Sequence, residues 1–451
     1  MTPVSLPTPP LSAQRPPALP LNIAGGASAP ARGALFLAGE HFAAATLFLL
    51  AGAIGLVWIA PDLARGDYLS PHVAGITHLF TLGWLTLTIF GALSQLLPVA
   101  LGAPIRSERV GHIAFWMLAP GIAMFACGVA DSSSVLVGIG VTLVALGILL
   151  EVGNIGATLV RGHTHDVTWS AIAISITFLT STLVFGLILA DNLHTGFVAA
   201  ERVRILTAHL HVAIVGWALI VMVGVSNRLL PMFLLVHGAD TRWSRRALIL
   251  FALGVPTLAT GLVANWIPAT WTGVVLLDTG LGAFVWQAYT FYRVRVRRNL
   301  DIAMRFVRTS VPFFAVSGVT GPVLLALGVT HTRLATAYIV SGLLGGIVLF
   351  VTGLLYKIVP LLAWTARYGG QIGRGPVPMA ADLYSARVAR AQLVLTVSGV
   401  ALLLAGIAAT SPLIARVGTS LFLCGIVLFA FQFVRIRWGT PAAFRSPAKS
   451  R

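Results

Sequence analysis

The sequence predicts an all-α integral membrane protein of twelve transmembrane helices, built from like units of four. Three observations predict it: the bulk composition, a count of apolar windows, and one line of sequence that recurs every fourth window. Hydrophobic residues make up 57% of the 451 and charged residues only 10%, with a mean hydropathy of +0.91. A soluble chain of this length has too little polar surface to cover that much apolar side chain, so most of it faces lipid. The formal net charge of +17 comes almost wholly from arginine in short loops, the bias of cytoplasmic loops in membrane proteins. No basic patch interleaves with aromatics, so no nucleic-acid partner is expected. Cys127 and Cys424, the two cysteines, sit inside apolar runs and offer neither a disulfide framework nor a CxxC metal site.

Windows of about 20 apolar residues mark spans. They fall near 34–59, 72–98, 109–130, 133–160, 167–190, 205–231, 246–266, 271–292, 309–329, 333–362, 390–409 and 412–435. Residues 1–33 precede them; rich in Pro and Ala, with no acidic residue and no apolar core of a signal peptide, they read as a disordered cytoplasmic tail. Residues 34–435 then form a single transmembrane domain, and 436–451 a basic cytoplasmic tail. With both termini inside, inner tails and loops hold 23 of the 30 Lys and Arg, and the outer loops only Arg65, Arg202, Arg204, Arg333 and Arg416. That asymmetry predicts N-in, C-in topology in a bacterial-type inner membrane.

Spans two and six carry the recurring line. "HLFTLGWLTLTIFGALSQLLP" runs from His78 to Pro98 and "HVAIVGWALIVMVGVSNRLLP" from His211 to Pro231. In span ten, "VSGLLGGIVLFVTGLLYKIVP" keeps Gly345, Gly353 and Pro360 in the same register, with Val340 for the histidine and Gly346 for the tryptophan. A line repeated every fourth span means an architecture of like units. An even number of helices per unit gives the units one orientation, unlike the inverted repeats of many transporters. The glycines read as helix-packing residues and each Leu-Leu-Pro as a helix end. Neither explains a histidine recurring at one depth.

These residues carry a resemblance. Histidine-bearing helices two and six, and "HLHVAIVGWALIVMVGVSNRLLP" beside the His-x-His signature that ends in a proline twenty residues on, resemble the haem-copper oxidase and nitric oxide reductase catalytic subunits. Twelve spans with histidine-headed helices are also similar to NnrS-type membrane proteins of nitric oxide response. The resemblance covers roughly residues 34–435 and implies twelve helices in three pseudo-threefold-related arcs of four. It also departs from the family. Span seven, "RRALILFALGVPTLATGLVANW", has no histidine where the family places a copper-binding pair. Span ten has none either, and His331 lies in the loop before it. The resemblance therefore implies a divergent or degenerate member without the copper-site histidines.

Two neutral imidazoles at matching depth suit the axial faces of a six-coordinate b-type haem, which assigns His78 and His211 as ligands. On a helix His209 points about 160° from His211 and His72 about 120° from His78, so each faces elsewhere, as a ligand for copper or a second haem or as an interfacial side chain. Arg202, Arg204 and Arg333 stand on the outer side as candidates for clamping haem propionates, or as snorkelling helix ends. Trp84 and Trp217 follow each histidine as cofactor lining or as packing. Gln95, Arg228 and Lys357 form a polar ring near the inner end, with Glu151 an available acid. Glu151 with Asn154, and Glu40 beside His41, are candidate proton-path groups. His163 and His165 have metal-like spacing but read as a solvated loop.

Two functions stay open. One is a haem-binding membrane protein serving electron transfer, nitric oxide or gas response, or respiratory assembly with a redox partner protein, rather than an enzyme that turns over oxygen. The other is a transporter or channel for a metal or small solute through the His- and Arg-lined bundle.

Overall fold

The computed structural model describes residues 32–438 apart from 239, 297–298 and 329–330, so nearly all of the predicted tails at 1–33 and 436–451 lies outside the described residues. All twelve predicted spans are present: Leu35–Trp58, Pro71–Leu101, Glu108–Ala130, Ser134–Arg161, Val167–Thr195, Arg202–Leu234, Arg242–Val263, Ile267–Arg293, Ile302–Leu327, Thr332–Gln371, Ala386–Ala408 and Pro412–Arg437. Their ends differ from the windows where polar residues cap a helix. Span nine starts at Ile302 because the Asp301 carboxylate accepts the Met304 N–H at 3.1 Å, so part of the basic stretch 293–308 is helical. The repeated prolines do not end their helices. Spans two and six run past Pro98 and Pro231 to Leu101 and Leu234, and span ten passes Pro360 to Tyr368. A proline forfeits one backbone hydrogen bond, which packed membrane helices tolerate. The stop is instead a left-handed residue at the same distance beyond each of the first two prolines, Gly102 (φ 69°) and Leu235 (φ 55°).

The three spans that carry the recurring line are the inner helices. Their most apolar windows are 72%, 67% and 72% buried, against at most 50% for any other span. Each packs on the first helix of its own arc through its two repeated glycines. A Cβ on Gly83, Gly216 or Gly345 would stand 2.5, 2.8 or 2.3 Å from Phe48, Phe178 or Phe313, and one on Gly91, Gly224 or Gly353 would meet His41, Ala171 or Ala303. Only glycine permits that approach. Each inner helix also widens into a π-helical stretch just after the repeat's first residue: Leu79–Thr86 after His78, Val212–Leu219 after His211, and Ser341–Val348 after Val340. Such insertions mark functional segments more often than chance.

A second repeat runs through the outer helices. In spans three and four, glycines stand at 121, 128, 140 and 147; in seven and eight at 254, 261, 273 and 280; in eleven and twelve at 399, 406, 418 and 425. The spacing is the same each time, seven, twelve and seven, and each quartet seams two helices into a hairpin. A Cβ on Gly128, Gly261 or Gly406 would fall 2.6, 2.4 or 2.5 Å from the partner helix's backbone nitrogen. Each hairpin turns through one left-handed residue, Ser132, Asn265 or Thr410. Seven residues after the last glycine comes a buried amide, Asn154, Gln287 or Gln432, whose oxygen accepts a backbone N–H, and whose nitrogen donates to a backbone C=O, at the start of the arc's third helix. Asn154 is thus a structural clamp with two counterparts. It satisfies helix-end groups that lipid cannot. The ring closes with span four on five, eight on nine, and twelve on one.

The polar ring finds partners other than Glu151. Arg228 Nη2 donates to Asp166 Oδ2 at 2.8 Å, and Lys357 pairs with Asp301. Both acids also cap the first helix of the arc, span five and span nine. The Lys357–Asp301 side chains are only 21% and 22% exposed, the Arg228–Asp166 side chains 44% and 34%. Lys357→Met, which removes a cation from the less exposed pair, is therefore expected to cost about 1 kcal/mol, and Arg228→Met less than that. Thermal unfolding in detergent measures both.

Candidate cofactor site

Both repeated histidines are held identically. The His78 Nδ1–H donates to the Ala74 carbonyl at 2.8 Å and the His211 Nδ1–H to the Thr207 carbonyl at 2.8 Å. Each bond is to the residue four earlier, one helical turn back, and it selects the tautomer that leaves Nε2 bare. The two rings nevertheless have different neighbours. His211 Nε2 accepts from the Tyr338 hydroxyl of span ten at 3.0 Å, with the rings stacked at 5.9 Å. His78 packs edge-on against Phe125 of span three at 5.0 Å.

The threefold frame explains this. Tyr338 stands two residues before Val340, as His209 stands two before His211 and Ile76 two before His78. The first residue of one repeat faces the residue two before the first of the next. From second arc to third this joins His211 with Tyr338; the same step from first arc to second would set His78 toward His209. The third step would join Val340 and Ile76, both apolar and buried. His211, expected to pair with His78, is bonded to Tyr338 of span ten, and His209 points to the opposite side of span six. His209 Nδ1 is shielded and has no hydrogen-bond partner, and its ring lies against Gly186 of span five. Tyr338 was missed because the repeat was read from its histidine onward; two residues upstream hold the signal.

The other expected residues scatter. His72 packs on Trp58 at 4.6 Å, an interfacial contact. Arg204 pairs with Glu201 at 3.5 Å, Arg333 donates to Thr410 of the last hairpin, and Arg202 is exposed, so the three do not form one clamp. Trp84 and Trp217 lie in the π-helical stretches, 1% and 3% exposed. Trp217 donates to Thr86 Oγ1 at 3.2 Å and packs on Phe90, tying span six to span two. His165 packs on Trp169. Among the described residues no group of three or more His, Cys, Asp or Glu converges to hold a metal ion. The donor set does not fit a three-histidine copper centre. It fits a group that takes one imidazole from each of two arcs: a bare nitrogen on His78 and a shielded, partnerless one on His209.

No family model matches the sequence, and no curated protein does. Among solved structures the chain is similar to a haem-copper terminal oxidase determined as a dimer by cryo-electron microscopy. The TM-score is 0.70 at 13% identity, over 91% of this chain and 85% of that one. The chain has the haem-copper oxidase fold.

Proposed function

We propose that this protein is a haem-binding electron carrier of the bacterial inner membrane, oriented N-in and C-in, that keeps the oxidase plan without a copper centre. The observation that carries the reading is a bare Nε2 on His78 and a partnerless Nδ1 on His209, on the inner helices of two arcs, while the other imidazole of span six, His211, is already bonded to Tyr338. Haem b would be held by His78 and His209 and would supply one-electron transfer. The protein would then serve electron transfer with a redox partner protein rather than gas turnover. Ala74, through His78 Nδ1, would fix that ring's tautomer and direction.

A second reading rests on one detail: the partnerless nitrogen of His209 is Nδ1, which suits a small ion such as copper held by two imidazoles. A transporter or channel is the alternative from another class, and it predicts a colourless protein. The test is an absorption spectrum, oxidised and reduced, of detergent-purified protein made with ample haem, with metal analysis and a His78→Ala control. Reduced α and Soret bands lost in His78→Ala support the haem reading. Colourless protein with copper lost in the variant supports the second. Protein with neither overturns both.

A further inference from the structure

The first arc departs from the other two at one buried point. Four residues after the last seam glycines, Gly147, Gly280 and Gly425, stand Glu151, Phe284 and Phe429. The two phenylalanines pack on inner-helix aromatics, Phe284 on Phe350 and Phe429 on Tyr356. Glu151, as buried as they are at 6% exposure, instead faces His41 of span one, with Oε1 3.9 Å from Nε2. His41, 1% exposed, lies against Gly91 where the second arc has Ala171 against Gly224. Two arcs show that the fold fills this place with apolar side chains. The first arc holds an acid and a base there, at the cost of burying both.

The local chemistry is that of a proton acceptor. The His41 Nδ1–H donates to the Leu37 carbonyl at 2.8 Å, so Nε2 is bare, and it has no hydrogen-bond partner. At 3.9 Å the two side chains are too far apart to bond directly. Between them lies a small cavity, walled also by Ser94, Thr158 and Ile105, with room for about one water. Thr158 and Ile105 lie on the side of the arginine-rich loop that joins spans two and three. Span two and that loop give the cavity no titratable wall residue. Span three gives Phe115, 4.9 Å from His41, and His112, which is bonded to Glu40 at 2.6 Å.

We propose that His41 and Glu151 form a buried proton-binding site that holds one proton between Nε2 and the carboxylate through a single water and exchanges it with the arginine-rich face. The proton comes from bulk water and returns to it; no bond between heavy atoms changes. The site is independent of any cofactor between the arcs.

Infrared difference spectroscopy on the full-length protein in lipid nanodiscs, stepping from alkaline to neutral pH, tests it. The wild type is expected to gain a protonated-carboxyl stretching band, shifted in heavy water, that Glu151→Gln abolishes. Glu40→Gln, which removes the nearest other acid, should leave that band in place. The double variant His41→Ala with Glu151→Phe gives the first arc the packing of the others; it should fold, unfold at a higher temperature than wild type, and lack the band. A band that survives Glu151→Gln, or a wild type without one, overturns the proposal. So does failure of the double variant to fold, which would make the pair structural.

Discussion

One methyl group at Gly261 is expected to cost about 3 kcal/mol, the upper end of what overpacking costs in a close-packed interior. The added carbon of Gly261→Ala would stand 2.4 Å from the Thr270 backbone nitrogen and 2.7 Å from Thr270 Oγ1. Both belong to the facing helix, and a backbone cannot rotate away as a side-chain tip can. Spans seven and eight must part along the seam to admit it. Gly282, two residues after the seam's last glycine, is the control, since nothing lies within 4 Å of its added carbon. Gly282→Ala should stabilise by about 0.5–1 kcal/mol, because alanine loses less backbone freedom in a helix. Thermal unfolding in detergent reads both. Equal shifts for the two variants would mean that the seam does not hold the hairpin.

His209→Ala is expected to remove the bound chromophore completely while His211→Ala retains it, although the two histidines are two residues apart. The prediction follows from the staggered register. By that register His209 would face the side of His78, while His211 already hydrogen-bonds Tyr338 on the other. Haem-to-protein ratio in the purified variants is the measure, with Tyr338→Phe expected to match wild type. Retention in His209→Ala with loss in His211→Ala would pair the two histidines of equal position after all.

The spans and the threefold plan were legible because hydropathy and the doubled line are local properties of the sequence. Twelve windows and three copies of one register suffice to count helices and group them. The glycine quartets were equally present in the sequence, at identical spacing, but they are scattered among 46 glycines and carry no conspicuous residue such as histidine to draw the eye. The site was only half legible. That His209 and His211 point apart follows from helical geometry; which arc each one meets does not, since it depends on how far one inner helix is shifted past the next. The π-helical stretches left no trace in residue type. Val340 opens one as readily as His78 and His211 do, so the widened turn belongs to the packing of the arc and not to the histidine. Glu151 was visible as a lone acid in an apolar run, yet its partner was misjudged. Arg228 and Lys357 take the helix-capping acids Asp166 and Asp301.

Glycine contacts join the first helix of every arc to the second, glycine seams and amide clamps join the third to the fourth, and none of these contacts involves His78, His209 or His211. Biogenesis can then be divided in time. Each arc can be inserted and zipped shut as it leaves the translocation machinery, and the three can close into a ring with the histidines still empty-handed.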